Sequence, residues 1–123
     1  MRAVIPAILL LASLPPPAQG AIAWIGAGVS SCADFGQDFK SAPNEMGSLY
    51  FTWAQGFMSG LNTRHLGTLD ATDLNSKSFS LSSQQHFIER YCDQHPLADF
   101  VDAVMALVVE MRRLQGLPPE KPP

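Results

Sequence analysis

Residues 49–62 read LYFTWAQGFMSGLN, and this stretch decides the fold. Placed on a helical wheel at about 100° per residue, it carries polar side chains along one side only. That side has four polar residues and two flanking apolar ones: Thr52, Gln55, Ser59, Asn62, Phe51 and Met58. A helix that is apolar around most of its circumference is normally buried. The stretch is therefore predicted to be the central helix of a small core, beginning between residues 44 and 48.

Two glycines share one face of this stretch. Gly56 and Gly60 are four residues apart and lie on the same side as Trp53. Each glycine costs about 1 kcal/mol relative to alanine in a helix interior, so we expect another backbone to approach closely there. The same spacing occurs in membrane helix dimers, but this stretch is too short and too polar to span a bilayer. Gly56, Gly60 and Trp53 are therefore predicted to pack against another helix of the same domain.

The first 23 residues have the pattern of a secretory signal peptide. Arg2 supplies the positive charge, residues 3–14 form the apolar segment, and cleavage is predicted after Gly20 or after Ala23. We therefore expect a secreted protein with no stable insertion in the membrane after processing. Residues 24–116 are predicted to form one helical domain, followed by a disordered proline-rich tail, residues 117–123.

The chain has two cysteines, Cys32 and Cys92. An even number of cysteines in an exported chain predicts a disulfide between them. One alternative remains open, because residues 29–32, VSSC, resemble a bacterial lipobox and Cys32 would then be lipidated. The long gap between the apolar segment and Cys32 counts against lipidation, and so does the unpaired Cys92 that it would leave.

Apolar periodicity predicts three further helices. One covers residues 32–40, with Ser31 as its N-cap and Asp34 as the capping-box partner. Another begins at Ser82, and the last covers residues 97–115. Residues 63–80 have no sustained period and are predicted to form a surface loop. No β pattern of useful length is visible, so the predicted fold is all-α: a small four-helix domain stapled by one disulfide.

The charged and nucleophilic residues do not form a recognisable catalytic pattern. After removal of the signal peptide, 7 of the 8 basic residues remain against 11 acidic ones, a net charge of −4. This acidity argues against a nucleic-acid partner, which needs a basic face. The three histidines form no metal-binding motif, and Ser59 lacks the surroundings of a catalytic serine. We therefore expect no enzymatic activity, no cofactor and no metal site.

Three segments together resemble a group of small bacterial envelope proteins. They are Cys32-Ala33-Asp34-Phe35, the helix pattern YxxWxxGFxSGLN, and the pattern YCxxxPLxxFxxAVxxL that begins at Tyr91. The layout, over residues 32–111, is similar to that of the HdeA acid-stress chaperones and of the type VI amidase immunity proteins. The resemblance implies a small helical periplasmic fold in which Cys32 and Cys92 are a structural pair, and it carries over no catalytic residue.

The resemblance also implies a function in protein binding. HdeA-like proteins are dimers that bind unfolded clients at low pH, and the immunity proteins bind one toxin enzyme. The expected partners are therefore unfolded clients, a toxin, or a second copy of the chain. The alternatives are a small envelope enzyme or metal carrier, and a lipidated structural component of the envelope.

Overall fold

The computed structural model describes residues 25–121 of the chain. Four α-helices follow one another: α1 Cys32–Ser41, α2 Pro43–Asn62, α3 Leu81–Gln94 and α4 Phe100–Leu114. Short 3-10 helices, Gly26–Val29 and Thr63–His65, precede α1 and follow α2. Within residues 25–121 there is no β-strand, and the predicted all-α, four-helix fold is confirmed. The predicted signal peptide and its cleavage sites lie outside the described residues.

The core forms where α2 and α4 meet, with α1 and α3 packed beside them. The side chains of α2 that are buried follow helical spacing: Tyr50, Ala54, Met58 and Leu61. Those of α4 form a broader stripe: Phe100, Val101, Ala103, Val104, Leu107, Val108 and Met111. Met58 was expected at the edge of the polar side, yet it is only 1% exposed. The buried face of α2 is therefore rotated toward the side predicted to be polar.

Aromatic rings join the helices at one end of this core. The Phe100 ring, from α4, lies 5.1 Å from the ring of Phe35 in α1 and 4.9 Å from that of Tyr50 in α2. The Tyr50 hydroxyl also donates a hydrogen bond to Asp38 Oδ2 at 2.9 Å. Burial raises the pKa of Tyr50 above its ordinary value, and the hydrogen bond to Asp38 acts in the same direction.

Capping residues determine where the helices begin. The Ser31 side chain accepts from the Asp34 N–H at 3.0 Å, which confirms the predicted cap of α1. The prediction for α3 is wrong by two residues, since its N-cap is Ser80 and not Ser82. The prediction for α4 is also too long, because Asp99 caps this helix. Leu97 consequently lies in the preceding turn and is 94% exposed.

The backbone just before α1 pairs with the backbone just before α4. Cys32 N–H donates to Ala98 O at 2.8 Å, and Phe100 N–H donates to Ser30 O, also at 2.8 Å. This pairing forms an isolated antiparallel bridge between Ser31 and Asp99. The N-terminus of α1 is therefore held beside the N-terminus of α4, about 70 residues away in sequence.

Candidate functional site

The predicted disulfide is present between α1 and α3. Cys32 and Cys92 have their Cα atoms 4.7 Å apart and are bonded through sulfur. Both side chains are buried, beside the bridge that joins Ser31 to Asp99. A Cys32 that is bonded to Cys92 is not available for lipidation, so the structure favours the disulfide over the lipobox interpretation.

The prediction for Gly56 and Gly60 is wrong. Both glycines are exposed, and a Cβ atom added at either would find nothing within 4 Å. The reason is the rotation of α2, whose buried face passes through Ala54 and Met58 and turns the glycine face to solvent. Among residues 25–121, no helix therefore packs against the face that carries Gly56 and Gly60.

Trp53 does pack against another helix, as predicted, since its ring lies 6.1 Å from that of Phe100 in α4, and it also contacts a glycine that the helical spacing did not indicate. Its indole stacks on the ring of Phe57, with centroids 5.2 Å apart, and its Nε1 donates to Ile25 O at 2.9 Å. The other side of the indole covers Gly28, in the first 3-10 helix, where an added Cβ would overlap the ring. Gly28 is thus the close-approach glycine, in place of Gly56 and Gly60.

A charged side chain, that of Arg112, is buried near the end of α4 and is only 1% exposed. Its Nη1 donates to Asp70 O at 2.8 Å and to Thr72 Oγ1 at 3.0 Å. Its Nε donates to Pro118 O at 2.6 Å. One side chain therefore joins the long loop after α2 to the chain that follows α4, and this pairing compensates for burying a charge.

A second set of contacts surrounds the Glu120 carboxylate, whose side chain is 3% exposed. His65 Nε2 lies 2.8 Å from one of its oxygens, and because an ionised carboxylate only accepts, His65 is the donor. Arg112 Nη1 and Arg64 Nη1 form ion pairs with the carboxylate at 3.4 and 3.5 Å. We call Arg64, His65, Arg112 and Glu120 the Arg112 cluster.

The Arg112 cluster fixes the C-terminal tail on the body of the domain. Residues 117–121 were predicted to be disordered, but they are bound through Pro118, Glu120 and the carbonyl oxygen of Lys121, which accepts from Arg64 at 3.1 Å. The composition of this segment favours disorder, and a buried arginine on another element provides the partner that overrides it. Pro122 and Pro123 lie outside the described residues.

The long loop before α3 is held by side chains from the helices. Asn62 exchanges two hydrogen bonds with the backbone of Thr72, at 2.8 and 3.0 Å. Gln115 does the same with the backbone of Asp73, at 2.8 and 3.0 Å. The fully buried Gln84 donates to Leu74 O at 3.0 Å. Backbone groups of the loop that have no ladder partner are satisfied in this way.

Residues 66–69, Leu-Gly-Thr-Leu, project from this fixed frame, and we call them the leucine loop. Leu66 is 79% exposed and Leu69 is 97% exposed. His65, on one side, contacts Glu120, and Asp70, on the other, accepts from Arg112. Gly67 has a φ of +79°, the left-handed conformation that permits the tight turn between the leucines. Two exposed apolar side chains are therefore presented by a segment that is bonded at both ends.

From the sequence alone, Arg112 has the place of a charge that suits the C-terminus of a helix, since it lies in the last turn of α4. One signal was available, because Arg112 follows Val104 and Val108 at four-residue steps and so lies on the apolar stripe of α4. An arginine on a buried face requires a partner. Nothing in the pattern indicated that Glu120, in a proline-rich segment, would provide it.

Two further observations concern residues 25–121 alone. No three His, Cys, Asp or Glu side chains in that range lie close enough together to hold a metal ion. None of the helices there combines the length and the apolar character needed to cross a membrane. Comparisons of the chain with protein-family profiles, with curated proteins and with solved structures found no match.

Proposed function

We propose that this protein is a non-catalytic binding protein of the bacterial periplasm, similar in role to HdeA chaperones or to toxin-immunity proteins. The signal-like N-terminus and the Cys32–Cys92 disulfide support a location in an oxidising compartment. The observation that carries the proposal is the leucine loop, with Leu66 and Leu69 exposed on a bonded frame.

Exposed leucines of this kind favour binding on physical grounds. Burying one leucine side chain against a partner contributes about 1.5–3 kcal/mol. The loop is already ordered by Arg112 and by Asn62, so a partner need not supply the entropy of fixing it. Loops that a rigid scaffold positions are also where binding residues are most often found.

The test is suppression of client aggregation. The mature protein is mixed with an acid-denatured client enzyme, and light scattering is followed at about pH 3 and about pH 7. We expect the unaltered protein to suppress aggregation, because Leu66 and Leu69 are exposed, and the variant Leu66→Ser/Leu69→Ser to lose this suppression. Leu97→Ser is the matched control, because Leu97 is equally exposed but lies in the turn before α4.

Two outcomes decide between the chaperone and the immunity roles. If the unaltered protein suppresses no aggregation at either pH, the chaperone role is contradicted. An immunity role then requires one protein from a periplasmic extract to bind the unaltered chain and the Leu97→Ser variant, but not the double variant. If the double variant behaves like the unaltered protein in both assays, the leucine loop is not the binding surface.

A further inference from the structure

The tail occupies its site as a bound peptide would. Residues 117–121 lie against Arg64, His65 and Arg112 on the body of the domain, and the tail and the body together line an open cleft of about 300 Å³. Three groups of the tail are recognised: the Pro118 carbonyl by Arg112 Nε, the Glu120 carboxylate by His65, and the Lys121 carbonyl by Arg64. Three side chains of the domain thus form hydrogen bonds with two backbone carbonyls and one carboxylate of the tail.

We propose that the surface under the tail, beside this cleft, is a binding site for an extended, proline-containing acidic peptide of a partner protein, and that the tail occupies it in the free chain. The ligand chemistry follows from the contacts: a carboxylate for the cations, a prolyl carbonyl two residues before it, and a carbonyl one residue after it. The proposal goes beyond the proposed function, because it concerns another surface and a polar ligand in place of an apolar one.

The site is built by the body of the domain and not by the tail. The Arg112 side chain is fixed by Asp70 O and Thr72 Oγ1. The backbone of Thr72 is in turn held by Asn62. These contacts do not involve residues 117–121, so Arg112 keeps its position when the tail leaves. A site whose donors are already in place pays little to reorganise on binding.

The tail is attached in a way that permits exchange. Leu117 N–H still bonds to Arg112 O at 2.9 Å, in the turn that ends α4 at Gly116, whose φ is +68°. Beyond Leu117, the contacts of the tail are made to side chains: Arg64, His65 and Arg112. A competing peptide that offers the same carbonyl and carboxylate groups would therefore replace the tail without disturbing a helix.

The experiment uses the full mature chain and the variant Glu120→Gln. The probe is a dye-labelled peptide with the sequence of residues 117–123, LPPEKPP, blocked at both ends, and its counterpart LPPQKPP. Binding is measured by fluorescence anisotropy. Glu120→Gln weakens the internal competitor, so we expect it to bind the acidic probe about tenfold to a hundredfold more tightly than the unaltered chain does.

Two controls establish the specificity. Lys121→Gln changes a charge in the same tail without removing the carboxylate, so it should bind the acidic probe as weakly as the unaltered chain. Glu120→Gln should prefer LPPEKPP over LPPQKPP. If Glu120→Gln does not bind the acidic probe more tightly, or binds the two probes equally, the tail contacts are structural only and the proposal is wrong.

A second measurement covers the case in which Glu120→Gln does not fold. Millimolar acidic peptide added to the unaltered chain should displace the tail and therefore shift the backbone amide NMR resonances of Glu120 and Lys121. His86 and His95 lie outside the cleft and their resonances should stay in place. The absence of a shift at Glu120 and Lys121 with the acidic peptide, or an equal shift with LPPQKPP, would overturn the proposal.

Discussion

Gly28 shows how a single missing side chain positions the first segment of the domain. Its Cα faces the Trp53 indole so closely that no Cβ fits between them, while Gly56 and Gly60 face solvent. Gly56 and Gly60, whose spacing predicted close packing, therefore leave room for a side chain. The important glycine lies in a 3-10 helix that carries no periodic signal.

We expect Gly28→Ala to lower the free energy of unfolding by about 1–3 kcal/mol, because the added methyl group forces the indole out of its place. Gly60→Ala is the control and should leave the domain unchanged or stabilise it by up to about 1 kcal/mol, since alanine is the better helix former. Urea unfolding followed by circular dichroism measures both. A destabilised Gly60→Ala with an unaffected Gly28→Ala would reverse this assignment.

Tyr50 gives the folded state a characteristic alkaline titration. Its folded pKa is raised, first by burial, so the folded state retains the phenol proton where the unfolded chain loses it. The stabilisation this provides is complete below the unfolded pKa of about 10 and is lost as the pH rises through the folded pKa. The Tyr91→Phe variant isolates the titration of Tyr50, because Tyr50 is then the one tyrosine left.

In the Tyr91→Phe variant, ultraviolet absorbance of the phenolate should therefore rise with a midpoint above pH 10. Addition of denaturant should return that midpoint to the ordinary value, since burial is its first cause. A folded midpoint at or below 10 would contradict the effect of burial and of the Asp38 hydrogen bond.

At the scale of elements, Arg112 holds both the loop that precedes α3 and the tail that follows α4. Without this side chain, the Asp70 and Pro118 carbonyls and the Glu120 carboxylate lose a donor at once. The neighbouring Arg113 offers a natural comparison. It is exposed and pairs with Glu110 at 2.8 Å on the same helix, where its hydrogen bond lowers the pKa of Glu110.

We expect Arg112→Met to cost about 1–3 kcal/mol of stability, the range for leaving buried hydrogen-bonding groups unsatisfied. Amide hydrogens of residues 66–73 should also exchange faster with solvent, because the loop loses its contact with α4. Arg113→Met should change neither quantity appreciably, since surface ion pairs contribute little. Equal effects of the two substitutions would show that Arg112 is not the joining residue. Thermal unfolding and hydrogen-exchange mass spectrometry provide the two readings.

The elements themselves could be predicted to a large extent, because apolar periodicity identifies helices directly. Their ends were less predictable, since Ser80 and Ser82 are both suitable caps, and in the structure it is Ser80 whose side chain accepts from the first turn of α3. The Arg112 cluster could not be predicted as a whole. It depends on a fold that brings Arg64, Arg112 and Glu120 together from three separate segments, and no local pattern records that proximity.

For the whole molecule, the disulfide links the first helix to the third across 60 residues. It was predictable from the cysteine count and from the signal-like N-terminus, without any knowledge of the helix packing. In the chain-entropy description, closing a loop of this length stabilises the fold by about 4 kcal/mol. Domains of this size have a total stability of about 5–15 kcal/mol, so the disulfide supplies a large share of it.

Reduction should therefore move the urea midpoint of the mature protein to a much lower concentration. The measurement is unfolding with and without a strong reductant, with thiols counted by mass spectrometry. The double variant Cys32→Ser/Cys92→Ser is the control and should be insensitive to the reductant. An unchanged midpoint in fully reduced protein would show that the bond adds no stability.

The pairing of Ser31 with Asp99 has a consequence for how the protein is made. A polypeptide emerges from the ribosome N-terminus first, so α1 and α2 appear well before Phe100, whose ring covers Phe35 and Tyr50. The backbone partners of Ser30 and Cys32 are also late, since they lie at Phe100 and Ala98. The domain therefore cannot close on a nascent chain that ends before α4. Its folding therefore waits until α4 has emerged, and any factor that escorts the chain before then meets the uncovered rings of Phe35 and Tyr50.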